Sequence, residues 1–135
     1  MPFDWHDGYN NVVISMRCWS QESFDNNIEK FLSFPLKHRQ LAIEPLTEKM
    51  NITYALADKK IEGITCAGDY AKFPEDAKAC DYDWVIDLRH QCILNEINFR
   101  FLRVGSRFLR GGRWFYYSHS DQITAANKLC INLIY

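Results

Sequence analysis

The chain has 135 residues, of which 47% are hydrophobic, 15% aromatic and 24% charged, with a formal net charge of −1. This size and balance predict one domain around one core and exclude a disordered chain. A net charge near zero and a pI near 6.4 argue against a nucleic-acid module that is basic throughout.

Met1-Pro2-Phe3-Asp4-Trp5 has neither the basic nor the apolar region of a secretory leader, and every apolar run is far too short for a membrane span. The expectation is a cytoplasmic protein with no membrane association. Five cysteines (Cys18, Cys66, Cys80, Cys92 and Cys130), odd in number and irregular in spacing, read as free and mostly buried thiols.

Residues 12–19 alternate in character and predict a strand, central because both of its faces are largely apolar. Ser20 is placed to cap a helix with an apolar stripe of Phe24, Ile28, Phe31 and Leu32, which Pro35 ends. Residues 36–50 have no clear period, and Pro45 rules out a long helix there. Residues 51–57 alternate as a strand, Asp58-Lys59-Lys60 reads as a turn, and residues 61–66 read as a returning strand. Residues 67–81 predict an acidic loop with a short helix at Pro74.

Tyr82, Trp84, Ile86 and Leu88 alternate with Asp83, Val85, Asp87 and Arg89, the pattern of a strand. From Gln91 to Arg110 both apolar residues and arginines recur every three or four positions, which favours an amphipathic helix ending at Gly111-Gly112. A hairpin around Gly105 is the alternative reading of that stretch. Residues 113–118 have strand character, and Ser118-x-x-Asp121 opens a last helix with Ile123, Ala126, Cys130 and Leu133 on its stripe. The apolar terminus predicts a docked end. The resulting fold class is a single α+β domain, residues 1–135, with a mixed sheet of about five strands and about three packed helices.

The functional signal lies in the charge distribution. Asp69, Glu75, Asp76, Asp81, Asp83 and Asp87 form an acidic segment, and Arg100, Arg103, Arg107, Arg110 and Arg113 follow with no acid among them. With Trp114 and Tyr116, these arginines have the composition of a protein interface, and the acids Asp69 to Asp83 are its electrostatic complement. The two segments pairing with each other is the alternative that would remove the interface.

Other clusters point to chemistry more weakly. Cys66, Cys80, His90 and Cys92 have the donor types of a zinc site but not its spacing. Asp4, His6 and Asp7 read as a turn before Gly8. Asp83, Asp87 and His90 are the set that a small metal-dependent hydrolase or nuclease would use. No phosphate-binding glycine loop and no catalytic motif is present, so no catalytic residue, metal ligand or cofactor is assigned. The leading expectation is a non-enzymatic protein that binds and inhibits another protein, of toxin-immunity or phage type. A nucleic-acid-binding domain using the arginine and aromatic residues is the second reading, and the hydrolase is the third.

Overall fold

The computed structural model describes residues 1–135. In chain order the elements are β1 (Val13–Cys18), α1 (Gln21–Ser33), β2 (His38–Ile43), α2 (Thr53–Leu56), β3 (Gly63–Ala67), β4 (Cys80–Asp81), α3 (Tyr82–Asn95), β5 (Asn98–Arg103), β6 (Arg107–Arg110), β7 (Arg113–Tyr116) and α4 (Gln122–Lys128). The α+β single domain expected from the sequence is the fold observed. Its strands divide into a four-stranded sheet in the order β1-β2-β3-β5 and a three-stranded sheet in the order β4-β6-β7.

Every pairing in the four-stranded sheet is parallel, and its strands lie side by side in the order in which they occur in the chain. Parallel neighbours need a crossover, and α1, α2 and α3 fall in the three crossovers. Ser20 begins α1 as the sequence predicts. Its hydroxyl accepts from the Ser23 amide at 3.0 Å, and Ser23 Oγ accepts from the Ser20 amide at 3.0 Å. Phe24, Ile28 and Phe31 of α1, Val85, Leu88 and Cys92 of α3, and Leu41, Ile43, Ile64, Phe99 and Phe101 of the strands form one buried cluster. Phe101 and Phe108, with ring centroids 6.1 Å apart, join the two sheets through that cluster.

Several expectations are corrected. β1 is an edge strand, paired only with β2, and not a central one. Residues 53–56 are a short helix where a strand was expected, and 38–43 are a strand where no period was visible. Residues 82–88 belong to α3. The Asp81 carboxylate caps that helix by accepting from the Asp83 amide at 2.9 Å, and Val85, Leu88, Gln91 and Cys92 make its buried stripe.

The helix predicted over 91–110 stops at Glu96, whose φ of 53° ends it in the left-handed region. Strands β5 and β6 follow, and they are not the two arms of a hairpin around Gly105: β5 pairs with β3, and β6 pairs with β4 and β7. The hairpin lies one element later. Gly111 and Gly112, with φ of 58° and 75°, form the two-residue turn between β6 and β7. The last helix ends at Lys128, so its predicted stripe is broken: Ile123 is exposed, and Leu133 instead bridges Phe99 beside β5. The apolar terminus is docked by that bridge.

Candidate functional site: an arginine–aromatic hairpin and an uncovered sheet face

The five arginines are not a ladder on one helix. Arg100 and Arg103 belong to β5, Arg107 and Arg110 to β6, and Arg113 to β7. Alternation along paired strands sorts the hairpin into two faces. The register sets Arg107 opposite Tyr116 and Leu109 opposite Trp114, so these four share one face. Phe108, on the other face, is buried in the core, which leaves the first face toward solvent. The Arg107 guanidinium lies 4.5 Å from the centroid of Trp114, and Arg110 lies 5.0 Å from that of Tyr82. Each such stack contributes about 0.5–1 kcal/mol at an exposed site. Trp114, Phe115 and Tyr116 are all exposed, at 43%, 38% and 58%. The outer edge of β7 carries no further strand.

The arginines and the acidic segment do not neutralise each other. The ion pair of the molecule is Lys37 with Asp7 at 3.7 Å, and His38 Nδ1 is hydrogen-bonded to Glu62 at 2.7 Å. The acids have separate fates. Asp69 accepts from the Lys78 amide at 2.9 Å and closes the loop, while Asp81 caps α3. Glu75, Asp76 and Asp83 are exposed. Asp87, half-buried, accepts from Gln91 Nε2 at 3.0 Å.

The residues proposed for metal chemistry are also placed. Asp83 and Asp87 stand one turn apart on α3, not on a strand as expected, and His90 is exposed on the same helix. Cys66, Cys80 and Cys92 all belong to the buried core cluster. Burial pushes the Cys80 and Cys92 thiols up to about 12, and burial with the neighbouring thiols pushes Cys66 well above its usual range. With no metal beside them, these thiols are neutral at ordinary pH. No group of three or more His, Cys, Asp or Glu side chains is arranged to hold a metal ion. Asp4 accepts from the Tyr9 hydroxyl at 2.5 Å, and the segment around it is a turn.

Sequence reasoning missed a second surface. Along each parallel strand, alternate residues face the helices or the opposite side. Cys18, Leu41, Ile43, Ile64, Cys66, Phe99 and Phe101 are the buried set. On the opposite side the register builds two cross-strand rows: Ser15, Gln40, Gly63 and Asn98, then Arg17, Ala42, Thr65 and Arg100. Ser15, Arg17, Gln40, Asn98 and Arg100 are exposed, so this side of the sheet is polar and open. All-parallel sheets are ordinarily covered on both faces. Three strand spacings put the backbones of Arg17 and Arg100 about 14 Å apart, with small residues between them. The alternation of β5 was legible in the sequence and that of β2 was not, and nothing there showed that the four strands lie in one sheet.

The molecule is thus a single α+β domain whose parallel sheet carries its helices on one side and an open polar surface on the other, with an exposed basic hairpin beside it. The chain belongs to the family described as "Protein of unknown function (DUF5131)", whose model matches residues 3–124. No curated protein and no solved structure is detectably similar to it. No helix is long and apolar enough to cross a membrane.

Proposed function

We propose that the chain works by binding another protein, with the β6–β7 hairpin as its docking surface and an acidic segment of the partner as its target. The observation that carries this reading is the exposure of Trp114 and Tyr116 beside the half-buried Arg107 on one face, with no internal carboxylate paired to any of the five arginines. Arginine, tryptophan and tyrosine are the residues that dominate binding energy at interfaces. Excess positive charge on the hairpin, from Arg107 on that face and from Arg110 and Arg113 on the other, selects an acidic partner and speeds encounter with it. In its narrower form the chain is an inhibitor of toxin-immunity or phage type, with the exposed Glu75, Asp76 and Asp83 adding a second contact to a basic part of the same partner.

The test is affinity capture with the tagged chain from nuclease-treated lysate at low and high salt, beside a variant carrying Arg107→Glu, Arg110→Glu and Arg113→Glu. The reading expects a defined protein that is retained at low salt, weakened at high salt and lost with the triple variant. Equal recovery with the wild-type chain and the variant, or recovery of no protein, overturns it. Retention of nucleic acid from untreated lysate, with no protein, assigns the hairpin to nucleic acid instead.

A further inference from the structure

The open side of the parallel sheet contains a cleft of about 550 Å³, within the range of small-molecule sites. Gln40, Thr65, Asn98, Arg100 and Asn132 bring its polar groups, and Gly63 leaves its floor without a side chain. Arg100 is the one charged residue of the lining, and no carboxylate lines it.

The hydrogen bonds within the molecule make this cleft one-sided in character. Asn132 Oδ1 accepts from the Phe101 amide at 2.8 Å, and Asn98 Oδ1 accepts from the Tyr135 amide at 2.7 Å. Each amide therefore spends its oxygen on the protein and keeps its NH₂ for something else. The Arg100 guanidinium, paired with no carboxylate, adds a planar fork of donors, and the Thr65 hydroxyl and Gln40 amide stand in the adjoining strands. A cleft rich in donors, with one guanidinium and no acid, is complementary to an anion that offers several acceptor oxygens. A carboxylate offers two oxygens; a phosphate monoester offers three and leaves an organic part to occupy the rest of the volume.

We propose that this cleft binds a small organic phosphate, with Arg100 on the phosphate and the Asn98 and Asn132 NH₂ groups completing its donor set. The site is separate from the hairpin, so each stands or falls without the other.

Titration of the full chain, followed by amide resonances in ¹⁵N–¹H spectra, tests the proposal. The probes are ribose 5-phosphate, ribose, inorganic phosphate and succinate. Ribose 5-phosphate is expected to shift Thr65, Asn98, Arg100 and Asn132 as one saturable set, and ribose is expected to leave them in place. Arg100→Gln should weaken that binding by about tenfold or more, equivalent to roughly 1.4 kcal/mol. Asn132→Asp keeps an oxygen for the Phe101 amide, so the fold is retained while the added charge repels the ligand. Absence of the shifts, or shifts that survive both substitutions, overturns the proposal. Equal affinity for inorganic phosphate, or tighter binding of succinate, overturns the assignment to an organic phosphate.

Discussion

Gln91 shows what a buried polar residue can do for a small domain. It is buried on α3, and its side chain makes four hydrogen bonds. Oε1 accepts from the Ile52 amide at 2.8 Å and the Thr53 hydroxyl at 3.1 Å, while Nε2 donates to the Met50 carbonyl at 2.8 Å and to Asp87 at 3.0 Å. One amide thus fixes the segment before α2 onto α3. Gln91→Leu strands the Ile52 N–H and the Met50 carbonyl away from water, so it is expected to cost roughly 2–4 kcal/mol in urea unfolding. Asn95→Ala, on the same helix but half-buried, serves as the mild control. The cysteines divide in the same way. Cys18, Cys66, Cys80 and Cys92 are buried and Cys130 is exposed. A native chain should therefore release one equivalent of colour quickly with a disulfide thiol reagent, and all five after denaturation. Fast release of more than one would contradict the burial. The buried thiols were foreseen from their number and spacing. The Gln91 bridge was not, because its partners Met50, Ile52 and Thr53 lie some forty residues earlier and no local pattern marks them.

At the scale of elements, the two reversals of expectation share one cause. Tyr82 to Leu88 satisfies a period of two and a period of 3.6 at once, and only the Asp81 cap and the core contacts of Val85, Leu88 and Cys92 decide between them. Arginines 100 to 110 likewise fit a helix by spacing, yet Phe99, Phe101 and Phe108 are needed in the sheets. Where one stretch fits both periods, tertiary burial chooses, and burial is not a local property. The α1 helix was legible because capping and stripe agreed; the pairing partners of the parallel strands were not, since crossovers separate them. Glycine positions give the sharpest test of the observed elements. A Cβ on Gly68 would lie 2.2 Å from the Val104 carbonyl oxygen, so Gly68→Ala must push β3 and the end of β5 apart. A Cβ on Gly111 meets nothing within 4 Å, and its left-handed φ of 58° is one that asparagine tolerates. Thermal unfolding should show a larger loss for Gly68→Ala, about 1–3 kcal/mol or more by the usual scale for core overpacking, and under about 1 kcal/mol for Gly111→Asn. Equal losses would mean that the hairpin and the close approach are misplaced.

For the whole molecule, the buried thiols impose a pH limit. Cys80 and Cys92 titrate near 12 in the folded chain against an ordinary 9.0, because burial disfavours the thiolate. The folded state then holds protons that the unfolded state releases, so stability is full below about pH 9 and falls as pH rises toward 12. Cys80→Ala should flatten that fall in urea midpoints measured from pH 8 to pH 11; an unchanged slope would mean that burial of the Cys80 thiol contributes nothing to it. Two surfaces with different chemistry complete the picture at this scale: a basic, aromatic hairpin, and a donor-rich sheet face that carries Arg17 and Arg100 and a cleft. The charge reading of the sequence found the first. The second arises only when four strands, each with an ordinary polar residue or two, are laid in register.

The strand order has a consequence for how the chain is made. Because β1, β2, β3 and β5 lie in space as they lie in sequence, each new strand emerging during synthesis finds its neighbour already in place. This order allows the sheet to grow vectorially, by one edge at a time, with no earlier pair opened for a later strand. β5 then delivers Phe99 and Phe101 to the core, and Phe108, Ala126 and Ile131 complete it. Chains stalled on the ribosome before that strand should be cut readily by protease, and those stalled once residues through Leu133 have emerged should resist it.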